Sequence, residues 1–275
     1  MKIKVLLVAS FIVFVGGYSL KAAALETIKF GSVAMDTPAV MHQRLSPLTD
    51  YLKQELQRPV ELKLSSNMAD AINEISAGTV EIAFLTPVAY ISAHDSGNSQ
   101  IVAKTVTDGH ASFQLMIVVK QDSPIKTVED LAGKTFAFGD PAALLQRAAV
   151  VGAGMPLDKL GKYEFIGHYD NIARGVARGL FDAGVLTGST ALKWQDKGLR
   201  ILYSTPHLPP YNIAVSSKVD AALLAQIRRA FLQLDINKPE HKAVIKAISL
   251  KYDGFAPTSD AEYDVIRKLI KPFEK

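Results

Sequence analysis

Apolar residues along this chain fall into two rhythms. Short runs such as Glu26–Ala34 (ETIKFGSVA), Pro59–Ser66 (PVELKLSS) and Val80–Leu85 (VEIAFL) read as strands. After Pro38, Leu45, Leu48, Leu52 and Leu56 recur at helical spacing. Asn67 predicts an N-cap for a helix over Met68–Ala77, and Thr86-Pro87 closes the third strand before a helix near Val88–His94. Ile101–Thr107 and Ser112–Lys120 extend the strand series. Strands alternating with helices predict a mostly parallel sheet flanked by helices.

A second series follows. Thr127–Leu131 predicts a short helix, Lys134–Phe138 a strand, Ala142–Gly152 a helix, Tyr163–Ile166 a strand, Asn171–Leu180 a helix and Ala183–Leu186 a strand. Thr190–Lys197 reads as helix and Leu199–Tyr203 as strand. A proline-rich stretch, Thr205–Tyr211 (TPHLPPY), precedes a strand at Asn212–Ser216. Helices at Asp220–Leu234, His241–Leu250 and Ser259–Ile270 end the series, which has no fixed-period repeat.

Two stretches, Phe113–Val119 and Pro209–Val215, are placed to carry the chain between lobes. They predict one lobe from residues 25–112 and 216–275 and another from 113–215, with hinge strands at its ends. Two crossings make a hinge, and the cleft lies between strand C-termini and helix N-termini.

The stretch from Lys134 to Gln146 (KTFAFGDPAALLQ) carries the most chemistry. It reads as a buried strand, a Gly-Asp-Pro turn and a helix start, where unpaired N–H groups and a partial positive charge favour an anion. Its first turn offers Ala142, Ala143, Leu144 and Leu145 instead of hydroxyls.

Composition narrows the class. A basic start, an apolar run from Val5 to Gly17 and Ala22-Ala23-Ala24 predict a cleavable signal peptide over residues 1–24. Loss of Lys2, Lys4 and Lys21 with it lowers the formal charge from +4 to +1, so the basic whole-chain balance does not point to nucleic acid. With no cysteine there is no disulfide, no thiol ligand and no acceptor for a bacterial lipid anchor. The expected mature chain is therefore periplasmic and not embedded in a membrane.

No enzymatic constellation stands out. His42, His94, His110, His168, His207 and His241 are scattered, and His168-Tyr-Asp170 is too short for a zinc signature. There is no Gly-x-Ser-x-Gly turn and no Walker loop, and Thr190-Ala-Leu-Lys193 matches a Ser-x-x-Lys site only loosely. No metal and no cofactor are expected.

Four segments in order, Pro47-Leu-Thr-Asp-Tyr-Leu, Val80-Glu-Ile-Ala-Phe, Asp130-Leu-Ala-Gly-Lys-Thr-Phe-Ala-Phe-Gly-Asp-Pro and Asp182-Ala-Gly-Val, resemble the phosphate/phosphite/phosphonate-binding proteins of ABC importers. The resemblance covers essentially the whole mature chain. It implies the α/β, two-lobed type II periplasmic binding protein fold, a small-molecule ligand between the lobes and a membrane permease as partner. A monomer is expected.

Carried over position by position, the resemblance puts a depolarised site here. Where the family has Ser-Thr-Ser-Gly after the Asp-Pro turn, this chain has Ala143, Leu144, Leu145 and Gln146. Family tyrosines fall at Met68 and Leu85, a His-Asp pair at Tyr169-Asp170, and an acidic residue at Leu186-Thr187. Thr86 and Tyr211 complete the candidate ligand-binding set, and each member has a plainer reading. Asp170 suits an N-cap, Thr86 a turn, Met68 and Leu144 a core, and Tyr211 packing beside Pro209 and Pro210. Trp194 reads as helix packing and Arg147 as a solvated side chain. A buried oxyanion needs several charge-assisted hydrogen bonds, so the losses argue against phosphonate. Either the ligand is less polar or the cleft has lost transport-type affinity, and two functions follow: an import receptor for a small ligand, or a regulatory binding protein that reports to a membrane sensor protein.

Overall fold

The computed structural model describes residues 26–32 and 36–274; the expected signal peptide lies outside them. The chain begins β1 (Ile28–Ser32), α1 (Pro38–Leu56), β2 (Val60–Leu64), α2 (Met68–Ala77), β3 (Ile82–Leu85), α3 (Pro87–Asp95), β4 (Ser99–Thr107) and β5 (Leu115–Lys120). Next come β6 (Thr135–Phe138), α4 (Leu144–Gly152), β7 (Lys162–Phe165), α5 (Tyr169–Ala177), β8 (Ala183–Thr187), α6 (Gly188–Gln195) and β9 (Leu199–Ser204). It closes with β10 (Asn212–Ser216), α7 (Ala221–Leu232), α8 (Pro239–Ile248), β11 (Tyr252–Ala256) and α9 (Asp264–Ile270).

Local chemistry explains several boundaries. Pro38 starts α1, whose Met41, Leu45, Leu48, Leu52 and Leu56 form one buried stripe. Asn67 caps α2 as its sequence predicts, its Oδ1 accepting the Asp70 N–H at 2.9 Å. Thr86 caps α3 by accepting the Ala89 N–H at 3.1 Å. The strand β11 is absent from the sequence reading. Its sequence YDGFA does not alternate, and Gly254 inside it has φ 138°, a conformation that favours glycine.

Two sheets result. In the first, ordered β11-β4-β10-β3-β1-β2, β2, β1 and β3 are parallel, while β10 runs antiparallel to both β3 and β4. In the second, ordered β7-β6-β8-β5-β9, β7, β6 and β8 are parallel and β5 opposes β8 and β9. Each sheet thus keeps most strands in one direction; β10 and β5 run in reverse as they enter from the other sheet, and the edge strand β11 also runs antiparallel to β4.

The chain leaves the first sheet after β4 and returns to it before β10. The two passages lie side by side: Phe113 and Leu208 exchange backbone bonds at 2.9 and 2.8 Å. Thr205 Oγ1 accepts the Leu115 N–H at 3.0 Å, and Gln114 Nε2 donates to the Thr205 carbonyl at 2.6 Å.

Burial is organised on the sheet faces. One face of the first sheet holds Phe30, Leu45, Leu52, Phe84 and Phe231 under α1, α7 and α8. The α5 and α6 face of the second sheet holds Val118, Ile172, Val176 and Leu186. Trp194 packs there, as the sequence suggests, with Lys197 Nζ 5.3 Å from its ring centre.

The remaining faces share one continuous core, from Ile75 and Tyr90 through Ile117 to Phe136 and Val150. The C-terminal helix joins this core through Ile266 and Ile270. Although it lies within the 216–275 segment assigned by sequence to the first lobe, α9 packs against α4, which follows β6 of the second sheet. A Cβ on Gly152 would come within 2.4 Å of Leu269, so the two helices meet closely there. Arg267 anchors the segment from the other side, pairing with Asp260 at 2.7 Å and with Asp95 of α3 at 2.9 Å.

Candidate functional site

The N-termini of α2, α3, α4, α5 and α6 each follow the carboxyl end of a parallel strand. Reversed strands bring the crossings to the same edges: Asn212 pairs with Leu85, and Leu115 with Thr187. Most candidate residues therefore gather where α/β sheets form ligand crevices.

Several donors of the expected anion cradle are bonded within the turn. Asp140 Oδ1 accepts the Ala142 N–H at 2.7 Å, and the Asp140 carbonyl accepts that of Ala143 at 2.9 Å. The N–H groups of Leu144 and Gln146 go to the carbonyls of Ala142 and Ala143. This turn delays α4 to Leu144 instead of the expected Ala142, and it removes the Ala143 and Leu144 amides as anion donors.

Gln146 completes the closure. Its buried side chain accepts the Gly139 N–H at 2.7 Å through Oε1 and donates to the Tyr169 hydroxyl at 3.2 Å through Nε2. Gly139 permits the approach: a Cβ there would lie 2.8 Å from Gln146 Nε2 and 2.9 Å from the Gly167 carbonyl. Sequence reading placed Gln146 among the replacements but gave it no role, since its partners lie 7 and 23 residues away.

The other candidates divide. Met68 is 38% exposed at the start of α2, and its sulfur accepts the Thr86 hydroxyl proton at 3.8 Å. Thr86 thereby uses its hydroxyl for a cap and for Met68. Leu144 and Leu145 are half-buried against the continuous core. Leu85 is completely buried in that core, so its side chain presents no surface to a ligand. Thr187 is half-buried, its hydroxyl 2.9 Å from that of Thr190.

Asp170 does not cap α5. His168 holds that position, and exposed Asp170 sits in the first turn, where a carboxylate complements the helix dipole. Arg147 is not simply solvated either. It donates to the Pro141 carbonyl at 2.9 Å and lies 6.0 Å from the Phe273 ring centre, tying the Gly-Asp-Pro turn to the C-terminus.

Tyr211 and Tyr169 face related surroundings. Burial raises both hydroxyl pKa values, Tyr169 adds to the effect at Tyr211, and the Gln146 bond offsets part of it at Tyr169. Both stay protonated donors at neutral pH. Tyr211 also stacks 5.4 Å from Phe84 and borders a small pocket of about 160 Å³ with Met41, Arg44 and Tyr252. Sequence reading missed this aromatic pocket because its residues come from four separate elements. Among the described residues, no group of three His, Asp or Glu side chains is placed to hold a metal ion.

The family described as "ABC transporter, phosphonate, periplasmic substrate-binding protein" matches residues 30–263. This chain belongs to that family. The phosphate-import protein PhnD of Mycolicibacterium smegmatis is 23% identical, over 89% of this chain and 85% of its own. Among solved structures, XAC2383 from Xanthomonas citri bound to ATP has a TM-score of 0.72 at 20% identity, covering 88% of this chain and 95% of its own. PhnD1 from Prochlorococcus marinus in complex with methylphosphonate has a TM-score of 0.69 at 18% identity, covering 90% and 98%. The fold of this phosphonate-family protein is thus the two-lobed type II arrangement, and it is a solute-binding protein, not an enzyme. Membership implies a small-molecule ligand and membrane permease partners. Among the described residues, no helix is long and apolar enough to cross a membrane.

Proposed function

We propose that this periplasmic binding protein captures a small, uncharged, partly apolar ligand between its lobes, in place of the phosphate or methylphosphonate named for its relatives. The carrying observation is the side chain of Gln146, which takes the Gly139 N–H and holds the Tyr169 hydroxyl. A phosphonate entering beside this turn would meet few unspent donors. Leaving a buried charge short of partners costs on the order of several kcal/mol.

Met68, Leu144, Leu145, Tyr169 and Tyr211 instead supply soft, apolar and aromatic contacts, with the Thr187 and Thr190 hydroxyls at the rim. Such a mixture favours a ligand with one flat or aliphatic face and a few hydrogen-bonding groups. The lobes, 25–112 with 216–275 and 113–215, would close by flexing at the paired crossings near Phe113 and Leu208. Their closed form would dock on the permease after export directed by residues 1–24.

The same internal closure also favours a second reading. A binding protein that reports to a membrane sensor protein need not keep a nutrient anion, and the loss of the cradle costs it nothing. Native mass spectrometry of freshly purified protein tests the ligand class. A co-purifying neutral molecule released by mild denaturation supports the proposal; co-purifying phosphate or phosphonate refutes it.

A further inference from the structure

We propose that the groove between the open edge of β7 and the C-terminal half of α5 docks an extended segment of a protein partner with acidic residues at alternate positions. The groove has a volume of about 590 Å³ and is lined by Lys162, Glu164, Arg174, Arg178, Leu180 and Phe181 among others. It lies over the α5 side of β6 and β7, with Thr135 of β6 in its lining, and β7 pairs on one side only, with β6. An unpaired strand edge is a template for a further strand, and peptide recognition often uses it.

Charge selects the occupant. Lys162 and Glu164 of β7 pair with each other at 2.5 Å, which leaves the two arginines as the groove's excess charge. Arg174 bonds only to the neutral Asn171 side chain, at 2.8 Å, and among the described residues neither arginine has a carboxylate partner. Both are exposed, and Leu180 beside them is 69% exposed.

Spacing then selects the pattern. Arg174 and Arg178 stand one helical turn apart, about 6 Å along the axis. Alternate residues of a strand lie about 6.7 Å apart on one face. Two carboxylates at positions i and i+2 of an added strand therefore match the two guanidinium groups, while the side chains between them point to the opposite face.

Other occupants fit less well. A second copy pairing β7 to β7 would bring four arginines together. The expected signal peptide carries Lys2 and Lys4, the wrong sign. The inference is independent of what the cleft binds.

The test is titration of the full mature chain with an N-acetylated, C-amidated hexapeptide alternating Glu and Val, followed by amide chemical shifts. Shifts concentrated at 162–165 and 171–181 are expected, weakening as salt rises. The double variant Arg174→Glu/Arg178→Glu should bind about tenfold more weakly or worse. A hexapeptide of the same composition with three adjacent Glu residues should also bind several-fold more weakly. Equal binding of the two peptides, shifts elsewhere, or a groove that takes inorganic phosphate but not the peptide would overturn the proposal. An unchanged melting temperature and far-ultraviolet spectrum of the double variant show that its loss is not unfolding.

Discussion

Gln146 reaches back across its own turn to accept the Gly139 N–H at 2.7 Å and, from the other end of its amide, donates a hydrogen bond to the Tyr169 hydroxyl at 3.2 Å. One neutral side chain thus satisfies a buried donor at the end of β6. It also joins the turn after β6 to the first residue of α5.

Restoring an oxyanion site should require removing this bridge. Leu144→Ser with Leu145→Thr alone is expected to leave methylphosphonate affinity nearly unchanged, because Gln146 still holds Gly139. Adding Gln146→Ser should raise it measurably by calorimetry. A strong gain from the double variant alone would show that Gln146 is not the obstacle.

Gln146→Ala should destabilise the protein by about 1–3 kcal/mol, the cost of stranding a buried N–H and hydroxyl. Urea denaturation would read the loss. A change below a few tenths of a kcal/mol would mean that water replaces the amide without penalty.

Gly139→Ala tests the close approach itself. With a Cβ 2.9 Å from the Gly167 carbonyl and 2.8 Å from Gln146 Nε2, backbone must shift as well as side chain. A destabilisation of about 1–3 kcal/mol is expected, together with altered fluorescence or shifts at Tyr169. A neutral outcome would show that the turn can relax.

Much of the framework was legible from residue order. Asn67 and the stripe beginning at Pro38 announce their helices because caps and periodicity are local signals. The start of α4 was misplaced by two residues because the Asp140 side chain captures the Ala142 N–H, a competition that spacing does not reveal. Asp170 was plausible as a cap by type, yet Gly167 at φ 83° turns the chain so that His168 takes the position. Leu85 sat at a family position but points into the core, since a strand's alternation fixes its face only once the neighbouring helices are placed. Gln146 and the docking of α9 on α4 depend on long-range contacts, for which no local pattern exists.

The C-terminal latch should weaken in acid. Burial works to raise the Asp260 pKa, but hydrogen bonds from Arg267 and Tyr90 outweigh it and hold it below the usual carboxylate range. A depressed folded pKa stabilises the latch above the unfolded value of about 3.9, and that contribution is lost as pH falls through the folded one. Hydrogen exchange should therefore rise in residues 258–274 below about pH 4, and Arg267→Ala should show the same loosening at neutral pH. Uniform exchange across the chain under both conditions would count against a local latch.

The most direct measurement is isothermal titration of the mature protein with methylphosphonate and with inorganic phosphate at neutral pH. If Gln146 has replaced the anion as the partner of the turn, neither titration should give appreciable heat, and neither ligand should raise the melting temperature. Micromolar binding of either anion would contradict that replacement and return this protein to the ligand class of its relatives.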